Sequence, residues 1–268
     1  MASTYLTRTS SSAGTNTKGT FSAWVKRSSI SNVYPRIIQI RPSSGNGLDM
    51  YFRNTDILEI KLSSGGSVLA QLSTNRLFRD VNAWYHILLS IDTTSGTADD
   101  RVRLYVNGVK ETSFSTRTNP SQNADVKING SSDTIQIGLE VGGSSNIFSG
   151  SMSHIHWLDG TAHDASYFGS TDSTTGEWKI NTSPSVTYGT NGFFILKDGN
   201  SVTDQSGNSN NFTVGGGTLT KTEDCPSNVF ATLNPLSFNT GFSLSNGNNY
   251  FNGGSVTSWN QGCAATMG

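Results

Sequence analysis

The feature that most constrains this chain is a period of two in its apolar residues. Residues 20–27 read TFSAWVKR, with Phe21, Ala23 and Val25 on one side of the alternation and Ser22, Trp24 and Lys26 on the other. Residues 83–92 (AWYHILLSID) set Tyr85, Ile87, Leu89 and Ile91 against Trp84, His86, Leu88 and Ser90. In residues 101–109 (RVRLYVNGV), Val102, Leu104 and Val106 alternate with Arg101, Arg103 and Tyr105. Successive side chains of a strand project to opposite faces, so each run predicts a strand with one face on a core. Further runs at residues 36–41, 47–53, 57–62, 67–72, 133–139, 149–158 and 193–197 are separated by Gly, Ser, Asn and Asp clusters. That spacing predicts an all-β sandwich or barrel. Asn107-Gly108 predicts a type I′ hairpin that returns Val109 onto the preceding strand.

Composition agrees. Only 14% of the 268 residues are charged, against about 25% in ordinary soluble domains. Ser, Thr, Asn and Gly, which favour turns and strand surfaces over helix interiors, take their place. One short helix is expected at residues 165–168, capped by Asp164 and ended by Gly169. The net charge is −1 with no Lys/Arg cluster, so nucleic acid is not an expected partner. The apolar runs are too short to span a bilayer, and the first residues have neither the basic nor the apolar region of a signal peptide.

Residues 223–268 change character. They are poor in charge and in Leu, Ile and Val, and Asn and Gly dominate residues 239–262. The expected organisation is a β domain over residues 1–222 and a C-terminal arm or linker over residues 223–268. No heptad encodes a coiled-coil trimer. Cys225 and Cys263 lie outside any zinc-ligand spacing, and two free thiols are expected over a pair.

The order of residues 21–27, 84–92, 103–108 and 150–160 resembles the laminin-G-like branch of the concanavalin A-like jelly rolls, over roughly residues 1–215. A narrower resemblance links the opening YLTRT-SS, DRVRLYVNG, ASYFGSTDSTTGEWK, SGNSNNFT and FATLNPL to structural proteins of tailed bacteriophages, marine and cyanobacterial ones especially. In many such relatives the chain continues past an ATLNPL segment into a second β-sandwich. The resemblance implies a non-enzymatic protein on the virion surface, a capsid decoration, head fibre or tail fibre. Its partners would be capsid or tail subunits, docked through the arm or an uncovered edge strand, and a trimer follows by analogy. The alternative is a receptor-binding lectin module for host cell-surface glycans. The remote alternative is a polysaccharide-degrading enzyme.

Hydrolysis of a glycoside takes two carboxyl groups about 5–10 Å apart. The five glutamates are Glu59, Glu111, Glu140, Glu177 and Glu223, and none has a second acid two or four residues away on its strand. Glu59 is expected at a solvated strand position. Sugar binding uses an exposed aromatic platform, for which Trp24, Trp84, Tyr105 and Trp157 are the candidates, with Trp178. No cofactor is required by any motif. Calcium is the metal candidate that the resemblance implies, with Asp92, Asp159, Asp204 and Asn208 as oxygen donors, and Asx-turn chemistry is the competing account of those residues. His154 and His156 are the alternative metal pair, expected on one strand face with Met152 and Leu158.

Overall fold

The computed structural model describes residues 4–30, 33–42, 47–229, 231–238, 243–245, 248, 250–253 and 263–265. Its strands in chain order are β1 (Tyr5–Thr9), β2 (Lys18–Arg27), β3 (Arg36–Arg41), β4 (Leu48–Phe52), β5 (Ile57–Ser64), β6 (Ser67–Leu77), β7 (Tyr85–Asp92) and β8 (Val102–Val106). They continue with β9 (Val109–Lys110), β10 (Phe114–Thr118), β11 (Thr134–Ile137), β12 (Gly150–Asp159), β13 (Gly169–Thr171), β14 (Trp178–Ile180), β15 (Phe193–Ile195) and β16 (Thr213–Gly216). β1, β10, β13, β14 and β16, which the alternation did not single out, and the longer β6 are the main departures from the expected strands.

Two sheets form the sandwich. One has eight strands in the order β10-β6-β5-β4-β3-β11-β1-β16, and the other six, in the order β15-β12-β2-β7-β8-β9. The expected all-β jelly-roll sandwich is therefore what the chain forms. Its helical content among the described residues is two short 3-10 turns. One is the turn expected after Asp164, spanning Ala165–Tyr167, where Asp164 accepts a hydrogen bond from the Ser166 N–H. No helix among the described residues is long and apolar enough to cross a membrane.

The core lies between the sheets. Phe21, Ala23 and Val25 of β2 and Ile87, Leu89 and Ile91 of β7 meet Ile38 and Ile40 of β3, Met50 and Phe52 of β4 and Ile60 of β5. For β2, β7 and β8 the faces read from the period of two are the ones found. Asn107 and Gly108 both have positive φ, as a type I′ turn requires.

A second apolar cluster covers the outer face of the six-stranded sheet. Leu88, Tyr105, Leu158, Ala165 and Phe168 pack there with Trp178, Val186 and Tyr188. β13 and β14 form the hairpin that supplies Trp178.

The expected face of β12 needs correction. The ladder with β2 shifts between Ser153 and His156, and His154 has φ of +47°. This bulge changes the phase of the alternation. Met152 packs against the main core with Ile155 and Trp157, whereas Leu158 belongs to the outer cluster.

Beyond residue 222, Asp224 is buried against the sandwich, where Lys26 Nζ lies 2.8 Å from its Oδ2. The described residues farther on include two short ladders, Leu233–Phe238 with Cys263–Ala265 and Ser243–Ser245 with Tyr250–Asn252. Cys225 is a free thiol.

Candidate functional site

The outer face of the eight-stranded sheet carries a charged and amide-rich surface built by strand register. Arg36 of β3 pairs with Tyr51 of β4, Tyr51 with Glu59 of β5, and Glu59 with Ser73 of β6. One step along, Gln39 pairs with Asp49, Asp49 with Lys61, and Lys61 with Gln71. These are the outward members of strands whose inward members are Ile38, Met50, Ile60 and Leu72.

Glu59 is the hub. It is only 1% exposed, and its carboxylate accepts from the Tyr51 hydroxyl, from Arg53 Nη1 at 3.0 Å and from Ser73 Oγ at 2.9 Å. Lys61 Nζ lies 2.8 Å from its other oxygen and also donates to Tyr51 Oη at 3.2 Å. Burial alone would raise this carboxyl, but hydrogen bonds from Lys61, Tyr51 and Ser73 outweigh it and hold it down at about 2. Tyr51 is pushed up to about 12 by burial and by its bond to Glu59. The expectation of Glu59 as a solvated position is therefore corrected. Its strand neighbours cover it.

Asp49 has the opposite environment. Burial raises it to about 6, against the pull of Arg36. Arg36 Nε is 2.9 Å from Asp49 Oδ1, but the two are not aligned as a hydrogen bond, so charge rather than directed bonding holds the pair. The Arg36 guanidinium also lies 4.1 Å over the Tyr51 ring and donates to the Tyr34 carbonyl at 2.7 Å. Tyr34 meets Tyr51 edge-on at 6.0 Å and is itself 36% exposed. A wall forms on the β11 side, where the Val141 N–H donates to Gln39 Oε1 and Gln136 Nε2 to the Glu140 carbonyl. The accessible groups are thus Lys61, Arg53, part of Asp49 and the Tyr34 ring.

The aromatic residues expected to form a platform lie elsewhere. Trp157 is inside the sandwich at 0% exposure, its Nε1 donating to Asn129 Oδ1 at 2.7 Å. Tyr105 is part of the outer apolar cluster. Trp24 is stacked on His86, and Trp84 donates to Asp224 Oδ2 at 3.2 Å. All four are buried, so none presents a ring face to solvent. Trp178 lies against His86 with its ring nearly parallel to the imidazole and its Nε1 donating to Nδ1 at 3.0 Å.

The expected calcium donors sit at the ends of β7 and β12 and on the loop between β15 and β16, and they are spent on the protein's own groups. Asp92 accepts from Thr94 N and Oγ1 and pairs with Lys18 at 3.2 Å. Asp159 accepts from the Thr15 and Asn191 N–H groups. Asp204 accepts from the N–H groups of Phe194, Ser206 and Asn210, and Asn208 Nδ2 donates to the Gly189 and Gly192 carbonyls. This is Asx-turn and loop-staple chemistry. His154 bonds Ser153 Oγ, while His156 bonds Tyr188 Oη and stacks on Phe194. Among the described residues no three His, Cys, Asp or Glu side chains gather as a metal-binding group.

No curated protein matches this sequence. Among solved structures, a putative carbohydrate-binding protein from Bacteroides ovatus is 15% identical, with a TM-score of 0.47 over 81% of this chain and 60% of its own. A SAP-like pentraxin from Limulus polyphemus is 17% identical, with a TM-score of 0.43 over 58% of this chain and 69% of its own. The LG4-5 domains of the mouse laminin α1 chain are 13% identical, with a TM-score of 0.38 over 58% of this chain and 40% of their own. The chain thus spans less than two thirds of the Bacteroides and laminin structures. The family model described as the concanavalin A-like lectin/glucanases superfamily matches residues 1–166, more than half of the chain, and the protein belongs to that superfamily.

Proposed function

We propose that this chain is a carbohydrate-binding module whose contact surface is the outer face of the eight-stranded sheet around Tyr51 and Glu59. The observation that carries the proposal is the register pair Asp49 and Lys61. It sets a carboxylate acceptor beside an ammonium donor on directly opposed strands, with side chains about 5 Å apart at their roots. Adjacent sugar hydroxyls each offer a donor and an acceptor and match such a pair. Tyr34 supplies an exposed ring at the margin for the apolar face of a sugar. Tyr51, Glu59 and Ser73 are buried beneath and fix the Lys61 head, which lowers the ordering cost of binding. Membership of a lectin/glucanase superfamily supports the same class of ligand.

The proposal includes no catalytic step. Glu59 is ionised and fully engaged, so it has no proton to give a leaving group. The test is a glycan array followed by calorimetry on the best ligand. Asp49→Ala and Lys61→Ala should each weaken binding about tenfold, and Tyr34→Ala somewhat less. Undiminished binding by the Asp49→Ala/Lys61→Ala double variant would remove this surface from the assignment.

A place on the outside of a phage particle is the second reading, and it rests on the sequence likeness of the segments quoted above. Immunogold labelling of intact particles tests it. Gold over the capsid or tail supports it, and unlabelled particles overturn it.

A further inference from the structure

At the β1–β16 edge of the eight-stranded sheet lies a cavity of about 370 Å³, within the size range of small-ligand sites. Hydroxyl and amide side chains line it, Thr7, Thr9, Ser11 and Thr213 with Asn210 and Asn211, and a single charged group, Arg8. Arg8 is only 9% exposed. Its guanidinium makes two hydrogen bonds, both to neutral oxygens: Nη1 to the Asn191 carbonyl at 3.5 Å, and Nη2 to Asn210 Oδ1. Among the described residues no carboxylate lies within ion-pair distance of it.

A buried cation normally has an anion beside it, because desolvation of an isolated charge is costly. Asp204 acts on Arg8 through space, with no ion pair or hydrogen bond between them among those formed by Arg8. Its two oxygens are already taken by the N–H groups of Phe194, Ser206 and Asn210 and by the Ser206 hydroxyl. The wall is also rigid. Asn210 Nδ2 is tied to the Thr190 and Gly192 carbonyls, and Asn211 Oδ1 accepts from the Asp204 N–H. Arg8 is therefore a preorganised fork of donors in a polar cavity, short of one anion.

We propose that this cavity binds the carboxylate or sulfate group of an acidic saccharide, with Arg8 holding the anion and the Thr and Ser hydroxyls meeting the sugar ring. The saccharide part rests on the carbohydrate-binding reading above, while the anion part rests on Arg8 and its cavity. Planar two-point recognition of a carboxylate is what a guanidinium does better than an ammonium.

The test is an NMR titration of the full chain with D-galacturonate, D-galactose 6-sulfate, D-galactose and acetate. Galacturonate or the sulfated sugar should shift the Arg8 Nε–H and the amides of Thr9, Asn210 and Asn211, at concentrations about tenfold or more below those of galactose. Acetate should bind more weakly than galacturonate. Arg8→Gln should abolish the response, and Arg8→Lys should leave a reduced one. Because Arg8→Gln removes a buried group, Thr9→Trp serves as a second variant that fills the mouth from an exposed strand position. It should block the same shifts with the fold unchanged.

Equal binding of galactose and galacturonate overturns the anion site. Equal binding of acetate and galacturonate overturns the saccharide assignment, and so does the absence of shifts with both acidic sugars. The Asp49→Ala/Lys61→Ala variant should keep the Arg8 response, so the two sites fail separately. Glycan binding confined to the Asp49–Lys61 surface sinks this inference alone.

Discussion

Trp178 Nε1 donates to His86 Nδ1 at 3.0 Å, and this fixes the tautomer of a fully buried histidine. With Nδ1 accepting, Nε2 carries the proton and donates to Ser22 Oγ at 2.9 Å. The Trp24 ring stacks on His86, and Trp178 meets it through its Nε1 hydrogen bond with the two rings nearly parallel. The Ser22–His86 contact is thus structural, closed to solvent by the hairpin of β13 and β14.

That arrangement makes stability fall in acid. Burial lowers His86 to about 3 and His154 to about 4, and His156 lies well below the usual histidine range. Each takes a proton near 6.5 once unfolded, so below that pH the unfolded chain binds more protons and is favoured. The loss begins near pH 6.5 and continues until each folded value is reached. Asp49, raised to about 6, binds its proton earlier in the folded state and offsets about one histidine between pH 6 and 4. Each net proton contributes about 1.4 kcal/mol per pH unit. Urea unfolding at pH 7, 6 and 5 should show a falling midpoint, with a shallower fall for His86→Phe. A flat profile would contradict the buried neutral histidines.

Glu59→Ala should destabilise by about 2–4 kcal/mol, because it strands the Tyr51 and Ser73 hydroxyls beneath the sheet surface. Lys61→Ala should cost about 1 kcal/mol or less, since Lys61 is partly exposed and its partner keeps other donors. Urea midpoints of the two variants decide this. A larger loss for Lys61 would mean that Glu59 depends on that one charge.

Asp224 joins the residues after 222 to β2 through Lys26 Nζ and to the residue just before β7 through Trp84 Nε1. Asp224→Ala leaves the Lys26 ammonium, 3% exposed, without this charge. The cheapest relief is for the segment to lift and admit water. Trypsin should then cut after Lys221 several-fold faster than in the parent, while the sandwich keeps its near-UV circular dichroism. Unchanged cleavage would show that other contacts hold the segment down.

Gly108 has φ of +79°, and a Cβ there would run into the Trp178 ring. Gly108→Ala should cost about 1–2 kcal/mol from the backbone conformation, and more from displacing Trp178. The melting temperature should drop, and Trp178 fluorescence should shift to the red as the ring moves. Gly65, also at positive φ but with open space around it, should show the backbone cost alone when replaced by alanine.

Much of the fold was legible because the period of two is a property of the strand backbone, independent of what surrounds it. Phe21, Ala23, Val25, Ile87, Leu89 and Ile91 could be placed on the core side from spacing alone, and Asn107-Gly108 could be placed in a turn. The phase broke at the His154 bulge, where one extra residue moved Met152 to the core side, and in β3, where Ile37 and Ile38 are both in the core. The laminin-G-like resemblance held for the same reason, since it rests on those strands.

The site was not legible. Alternation says on which side of a strand a residue lies, but not whether that side is covered. Trp24 and Tyr105 stand on an outer face as expected, yet both are buried, Tyr105 in the cluster with Phe168 and Trp178 and Trp24 stacked on His86. Asp49 and Lys61 are twelve positions apart and Glu59 and Ser73 fourteen, and they meet only because β4, β5 and β6 pair in one register. The sequence by itself determined the strongly alternating strands of the sandwich and most of their inner faces, because backbone geometry and apolar burial are local demands, and its motifs carried the laminin-G-like resemblance. Which outer face is covered, which acids share a surface, and that Arg8 lines a cavity with no carboxylate of the described residues in ion-pair distance were decided by the tertiary structure, because those depend on strand register and on loops packing from far along the chain.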